Sequence, residues 1–277
     1  MTVTMAAVTA GGRDPDLKLV IVGAGRMGGA VLQGALRAGV IEPGEVAIYH
    51  PNERRGAELS ERHGVAYVGD EGLKRAAYTL LAVKPQSFPR VAPLVARRDA
   101  CFISLMAGVP ARRIADRVGS RRVIRAMPNL GASLGVSATA LTALPEAHPE
   151  DVAMARSLFG AVGTVYDVRE EQFDAFTGMA GSGPAYAAVV AEALADGGVR
   201  VGLDRTLARD LARQVLLASA RLLETRHPSE LKDEVSSAGG TAIAGVRTLE
   251  RHRLRFALID AVEEATKRAS ELSQEDL

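Results

Sequence analysis

Residues 17–30 read LKLVIVGAGRMGGA. An apolar run that stops abruptly at glycine predicts a buried strand over residues 17–25, and Met27–Ala38 follows with helical spacing. Gly23, Gly25 and Gly28 stand at G-x-G-x-x-G spacing across that junction. In such a turn the first glycine permits the tight bend, the second lets backbone approach a pyrophosphate, and the third lets the helix pack close to the strand. The amides and positive dipole end of the helix then face the anion. The stretch therefore predicts dinucleotide binding, with Gly23, Gly25, Arg26, Met27 and Gly28 as candidate contacts.

Further strands are predicted at VAIYH (46–50), VAYV (65–68), YTLLAV (78–83), CFISLM (101–106), VIRAM (123–127), VSATAL (136–141) and TVYDV (164–168), with a helix over Glu53–His63. Strands alternating with helices imply an α/β class: a Rossmann-like, doubly wound parallel sheet covered on both faces. Ligands in such sheets bind outside the C-terminal strand ends. Val83, Lys84 and Pro85 leave one end, and Ala107 and Gly108 leave the next, so all five are candidate cofactor contacts. An NAD site places an acid after the second strand for the ribose hydroxyls. Here Asn52, Arg54 and Arg55 follow instead. Asn52 and Arg54 are taken as contacts for a 2′-phosphate, which favours NADPH over NADH, with solvated helix charges as the alternative.

After Val168 the strand signals stop. Leu207, Leu211, Val215, Ala218 and Leu222 recur at helical intervals, as do Phe256, Ile259, Val262 and Ala269. These stripes are read as core or subunit interface, and a homodimer is expected. The predicted organisation is a loose segment at 1–16, a cofactor domain at 17–168, and an all-α domain at 169–277 for substrate binding and dimerisation.

The chain has 277 residues and a net charge of +1, from 34 basic and 33 acidic residues. There is no bulk basic excess to attract nucleic acid or a membrane surface. Aromatic residues make up 4% with no Trp, against base-stacking platforms. Cys101 is alone in an apolar run and reads as an inert buried thiol; no His–Cys cluster has metal-ligand spacing. Residues 1–16 lack the basic start of a signal peptide. The uncharged stretch 175–191 is broken by Gly178, Gly181, Gly183 and Pro184, which suits packed helices better than a span. A cytoplasmic protein is expected. The helical-half arginines (Arg200, Arg205, Arg209, Arg213 and Arg221) are read as a solvated face.

Residues 235–245 read VSSAGGTAIAG. Ile243, Val246 and Leu249 mark a helix beginning near Gly240, which a serine or threonine can cap. Glycines there expose amides to an incoming anion, suited to a carboxylate; a capped turn is the bland alternative. Val235, Ser236, Ser237, Gly239, Gly240 and Thr241 are the candidate substrate contacts. Together the two halves suggest a reductase for a small carboxylated substrate.

VIVGAGRMGGA, LLAVKPQ, SLMAGV, VIRAMPN, AGSGPAY, EALADGGVRVGL, HPSELKDEVSSAGGT and LERHRLRFALIDAV follow one another from Leu17 to Leu272. In this order they resemble the pyrroline-5-carboxylate reductases. The last four are the more specific, because they belong to the helical half. The resemblance implies reduction of Δ1-pyrroline-5-carboxylate to L-proline by NADPH or NADH, the final step of proline synthesis. It also implies a substrate carboxylate held by Ser237, Gly239, Gly240 and Thr241, interlocked dimers, and rings of five dimers.

The chain departs from the family in two places. Ser-Pro-Gly-Gly-x-Thr is usual in the substrate loop, the last threonine meeting the imine nitrogen. Here Ala238 replaces the proline and Ala242 that threonine. Thr241 is the candidate catalytic hydroxyl, but one helical residue turns a side chain by about 100°, so it is no simple replacement. Asn129-Leu130-Gly131 also stands where Asn-Thr-Pro is usual. Two other functions stay open: reduction of a different cyclic imine or keto acid, and a non-catalytic NADPH-binding protein.

Overall fold

The structure, a computed structural model, describes residues 17–274; the expected loose segment 1–16 lies outside them. The described residues form two compact units, one running to Phe173 and the other spanning Asp174–Leu272.

The first unit holds strands β1 (Leu19–Val22), β2 (Val46–Tyr49), β3 (Ala66–Tyr67), β4 (Tyr78–Leu81), β5 (Cys101–Ser104), β6 (Val123–Pro128), β7 (Ser137–Ala143) and β8 (Gly163–Asp167). Its helices are α1 (Arg26–Arg37), α2 (Glu53–His63), α3 (Phe88–Val95), α4 (Ala111–Val118) and α5 (Pro149–Gly160). One sheet runs in the order β3-β2-β1-β4-β5-β6-β7-β8. All four residues of β1 are buried, because both faces are covered. Leu19 and Ile21 join α1, α2 and α5 in one core; Val20 and Val22 join α3 and α4 in the other. This alternation is the period-two geometry of a strand acting on an uninterrupted apolar run.

The expectation of a parallel sheet needs one correction. β6 and β7 pair antiparallel, and β8 runs parallel to β7. Only residues 129–136 lie between β6 and β7, among them a short 3-10 turn, Leu130–Leu134, and Gly135 at φ +76°. A parallel crossover needs a dozen or more residues, so the chain folds back instead. The predicted strand at 101–106 stops at Ser104, whose Oγ accepts the Met106 N–H at 3.2 Å. The predicted strand at 65–68 shrinks to Ala66–Tyr67.

Two ion pairs fasten this unit. Buried Asp151, in the first turn of α5, accepts from Arg122 Nε at 2.8 Å and Nη2 at 2.6 Å. Glu170 accepts from buried Arg125 at 2.6 Å and from the Ala111 N–H at 3.2 Å, while the Arg125 guanidinium lies 4.3 Å from the Phe173 ring centre.

The second unit follows from the short α6 (Phe173–Phe176) and a π-turn over Thr177–Gly181. It contains α7 (Gly183–Arg200), α8 (Arg205–Leu222), α9 (Pro228–Val235), α10 (Thr241–Arg251) and α11 (Leu254–Gln274). Pro184 sits in the first turn of α7, where its missing N–H costs nothing. A Cβ at Gly178 would lie 2.4 Å from Thr266 Oγ1, so glycine there lets α11 pack close. α7 and α8 join through Ala195, Ala208 and Ala212. The larger stripe of α8 faces outward: Leu207, Leu211 and Val215 are exposed, as are Phe256 and Ile259 on α11. Of the two readings of these stripes, core of the single chain is therefore ruled out for these five residues. None of the described helices is long and apolar enough to cross a membrane.

Candidate functional site

The first cluster forms where Val22, Tyr49, Leu81 and Ser104 end their strands in register. Gly23 takes φ +97°, and a Cβ on it would stand 2.8 Å from the Ala82 carbonyl oxygen. Gly28 is as constrained: its Cβ would lie 2.6 Å from Gly23 O and 2.9 Å from the Ala82 methyl. Gly25 differs, because nothing lies within 4 Å of its absent Cβ. It caps α1 with no side-chain hydrogen bond, and no acid stands in the first turn. The amides at that end are thus left for an outside anion. Two glycines are needed for packing and one borders open space, as a pyrophosphate cradle requires. Arg26 beside it is exposed, and Met27 packs on the core.

Val83 and exposed Lys84 follow β4, and Pro85 opens a 3-10 turn. Exposed Ala107 and half-buried Gly108, the latter at φ +70°, follow β5. The structure brings all of them to the same edge of the sheet as the glycine turn. Asn52 caps α2, its Oδ1 accepting the Arg55 N–H at 2.9 Å. Arg54 is almost fully exposed, its Nε 3.4 Å from Glu58. Arg55, which also pairs with Glu58 at 2.9 Å, turns into a concavity between α1 and α2. Gln33, His63 and Ser133 line it too. Sequence reading missed these three, since no local motif marks residues that meet only when α1, α2 and the 130–134 turn pack together.

The second cluster lies in the helical unit. Ser236 ends α9, Gly239 takes φ +69°, and Gly240 caps α10. The expected serine or threonine cap is absent: no side chain bonds to the start of α10. Ser237 Oγ instead packs on Gly240, where a Cβ would lie 2.3 Å from it, and Ser237 O accepts the Gly240 N–H at 3.0 Å. Glycine holds the cap position because the hydroxyl occupies the space a side chain would need, and the amides that open α10 have no capping side chain. Thr241 is exposed at the first helical position. Ala242 faces elsewhere, into a concavity of about 320 Å³ with Leu231, Val235, Ser236 and Val246. Ser236 Oγ is buried without a hydrogen-bond partner. Among the described residues no group of three or more His, Cys, Asp or Glu is placed to hold a metal. Cys101 is buried, and burial pushes its thiol up to about 12, which makes it a poor nucleophile.

A doubly wound domain with a glycine turn at its first strand–helix junction, followed by a helical unit, defines a two-domain oxidoreductase of the dinucleotide-binding class. Residues 18–108 match the family model described as NADP oxidoreductase coenzyme F420-dependent, and residues 170–272 match pyrroline-5-carboxylate reductase dimerisation. The pyrroline-5-carboxylate reductase of Thermus thermophilus is 48% identical over 261 residues, covering 94% of this chain and all of the relative. That of Synechocystis is 40% identical, covering 94% of this chain and 99% of the relative. The solved structure of a pyrroline-5-carboxylate reductase from Coxiella burnetii superposes with a TM-score of 0.85 at 30% identity, over 94% of this chain and all of the other. The chain belongs to the pyrroline-5-carboxylate reductase family.

Proposed function

We propose that this protein reduces the C=N bond of Δ1-pyrroline-5-carboxylate to give L-proline, the last step of proline biosynthesis. The observation that carries this reading is the 48% identity to the Thermus thermophilus reductase across its whole length. NADPH, or NADH in its place, supplies the hydride for the imine carbon.

The chain's own contribution is to bind, orient and exclude water. Residues 17–168 hold the dinucleotide, with Gly25 and the start of α1 at its pyrophosphate and Val83, Lys84, Pro85, Ala107 and Gly108 toward its nicotinamide half. Asn52 and the neighbouring arginines serve the 2′-phosphate. Residues 169–277 hold the substrate and the second subunit. The free amides at the start of α10, with Ser237, Gly239, Gly240 and Thr241, take the carboxylate. The exposed apolar stripes of α8 and α11 support a homodimer, and five such dimers complete a ring. We place the protein in the cytoplasm.

The test follows NADPH and NADH oxidation with the five-membered and six-membered cyclic imines. The reading requires kcat/KM to favour the five-membered imine. A preference for the six-membered ring assigns the chain a different imine, and no oxidation with any imine leaves a binding protein.

A further inference from the structure

Helices α1 and α2, with Ser133 of the 130–134 turn, border an open cavity of about 640 Å³. Arg26 and Arg37 come from the outer face of α1, and Arg55 and Arg62 from α2; no Asp or Glu lines it. Arg55 shares Glu58 with Arg54. Arg26, Arg37 and Arg62 form no ion pair with any described residue.

The floor is built rather than incidental. The His63 ring lies across α1, where a Cβ at Gly29 would stand 3.0 Å from it, so glycine lets the ring pack closely on the helix. Gln33 Nε2 reaches His63 Nδ1 at 3.1 Å and so holds the ring in place. Buried Leu59 completes the floor. Four guanidiniums around one concavity raise its positive potential, and the two away from the glycine turn, Arg37 and Arg62, present planar forks of donors suited to phosphate.

One end of the cavity touches the glycine turn at Gly25. From Arg26 to Arg37 the helix then runs roughly 16 Å at its standard rise. Gln33, Arg37, Arg62 and His63 therefore lie down the outer flank, away from a dinucleotide spread across the strand ends.

We propose that the far end of this cavity, bordered by Arg37, Arg62 and His63, is a second anion site, which binds a polyphosphate chain while Arg26 and Arg55, at the end beside Gly25, serve the dinucleotide. The chemistry it recognises is two or more linked phosphate groups, borne either by a nucleoside triphosphate or by free polyphosphate.

The test is calorimetric titration of the NADPH-saturated protein with tripolyphosphate and, separately, with ATP, both at about 0.15 M salt to screen unspecific attraction. Tripolyphosphate is expected to bind once per chain and to move the His63 ring signals in NMR spectra. The double variant Arg37→Ala/Arg62→Ala should weaken it by about tenfold or more, with NADPH affinity and Tm unchanged. A control removing two other exposed cations of the same unit, Arg90→Ala/Arg98→Ala, should leave binding intact. ATP binding more tightly than tripolyphosphate identifies a nucleotide as the occupant; equal binding identifies the bare chain. The proposal fails if nothing binds at that salt, if saturating NADPH abolishes binding, or if both double variants weaken it equally.

Discussion

The Cβ that Gly28 lacks would stand 2.6 Å from the carbonyl oxygen of Gly23, so α1 meets the end of β1 through two glycines. Gly28→Ala must push the helix off the strand. It should lower stability by about 1–3 kcal/mol and weaken NADPH binding together with it. Gly25→Val offers the contrast. Nothing lies near its absent side chain, so Tm should hold while NADPH affinity falls. Thermal melts and NADPH titration of both variants check this; parallel losses at Gly25 would mean that its role is packing.

Arg54 and Arg55 both pair with Glu58, but only Arg55 lines the cavity beside the glycine turn. Arg55→Ala should therefore raise the KM for NADPH more than that for NADH, while Arg54→Ala changes the ratio less. Steady-state kinetics with the two nucleotides decides between them, and a larger effect at Arg54 would reverse the assignment.

Ala242 and Thr241 leave α10 in different directions, one into the concavity beside α9 and one into solvent. Thr241 thus does not occupy the place of the family's threonine. Ala242→Thr should raise kcat about tenfold if the added hydroxyl contributes one transition-state hydrogen bond of about 1.4 kcal/mol. Turnover that stays level or falls would show that the missing hydroxyl does not limit this enzyme.

Burial alone pushes the Asp151 carboxyl up, but the Arg122 hydrogen bonds, the His148 N–H and the nearby positive charges outweigh it and hold the carboxyl below its ordinary value. A carboxyl depressed in the folded state stabilises fully above its unfolded value, near pH ~4. That stabilisation drains away as pH falls through the folded value. Asp151→Asn should cost about 3 kcal/mol at neutral pH, because Arg122 loses its buried partner. The gap from the parent should narrow in acid. Chemical denaturation at neutral pH and below pH ~4 measures both, and a gap that widens in acid would contradict the sign.

Little of that ion pair was legible beforehand. Arg122 and Asp151 are 29 residues apart, and neither stands in a motif. The pair exists because α5 returns across the sheet to the start of β6. The outward face of α8 was only half legible: spacing marks Leu207, Leu211 and Val215 as one stripe, but which stripe the chain buries depends on α7, which meets the alanines instead.

The amino-acid sequence by itself determined the Rossmann-like half and its glycine turn. Strand, bend and helix follow one another within a dozen residues, so apolar period and glycine spacing carry the geometry locally. The loop at 235–241 was legible in the same way, as a glycine-rich helix start. Only the tertiary structure decided that Gly240 rather than a hydroxyl caps α10, that Thr241 and Ala242 face different surroundings, and that four arginines on α1 and α2 share one cavity. Each depends on which side chains from separate segments fill a common space, and residue spacing along one chain does not encode that.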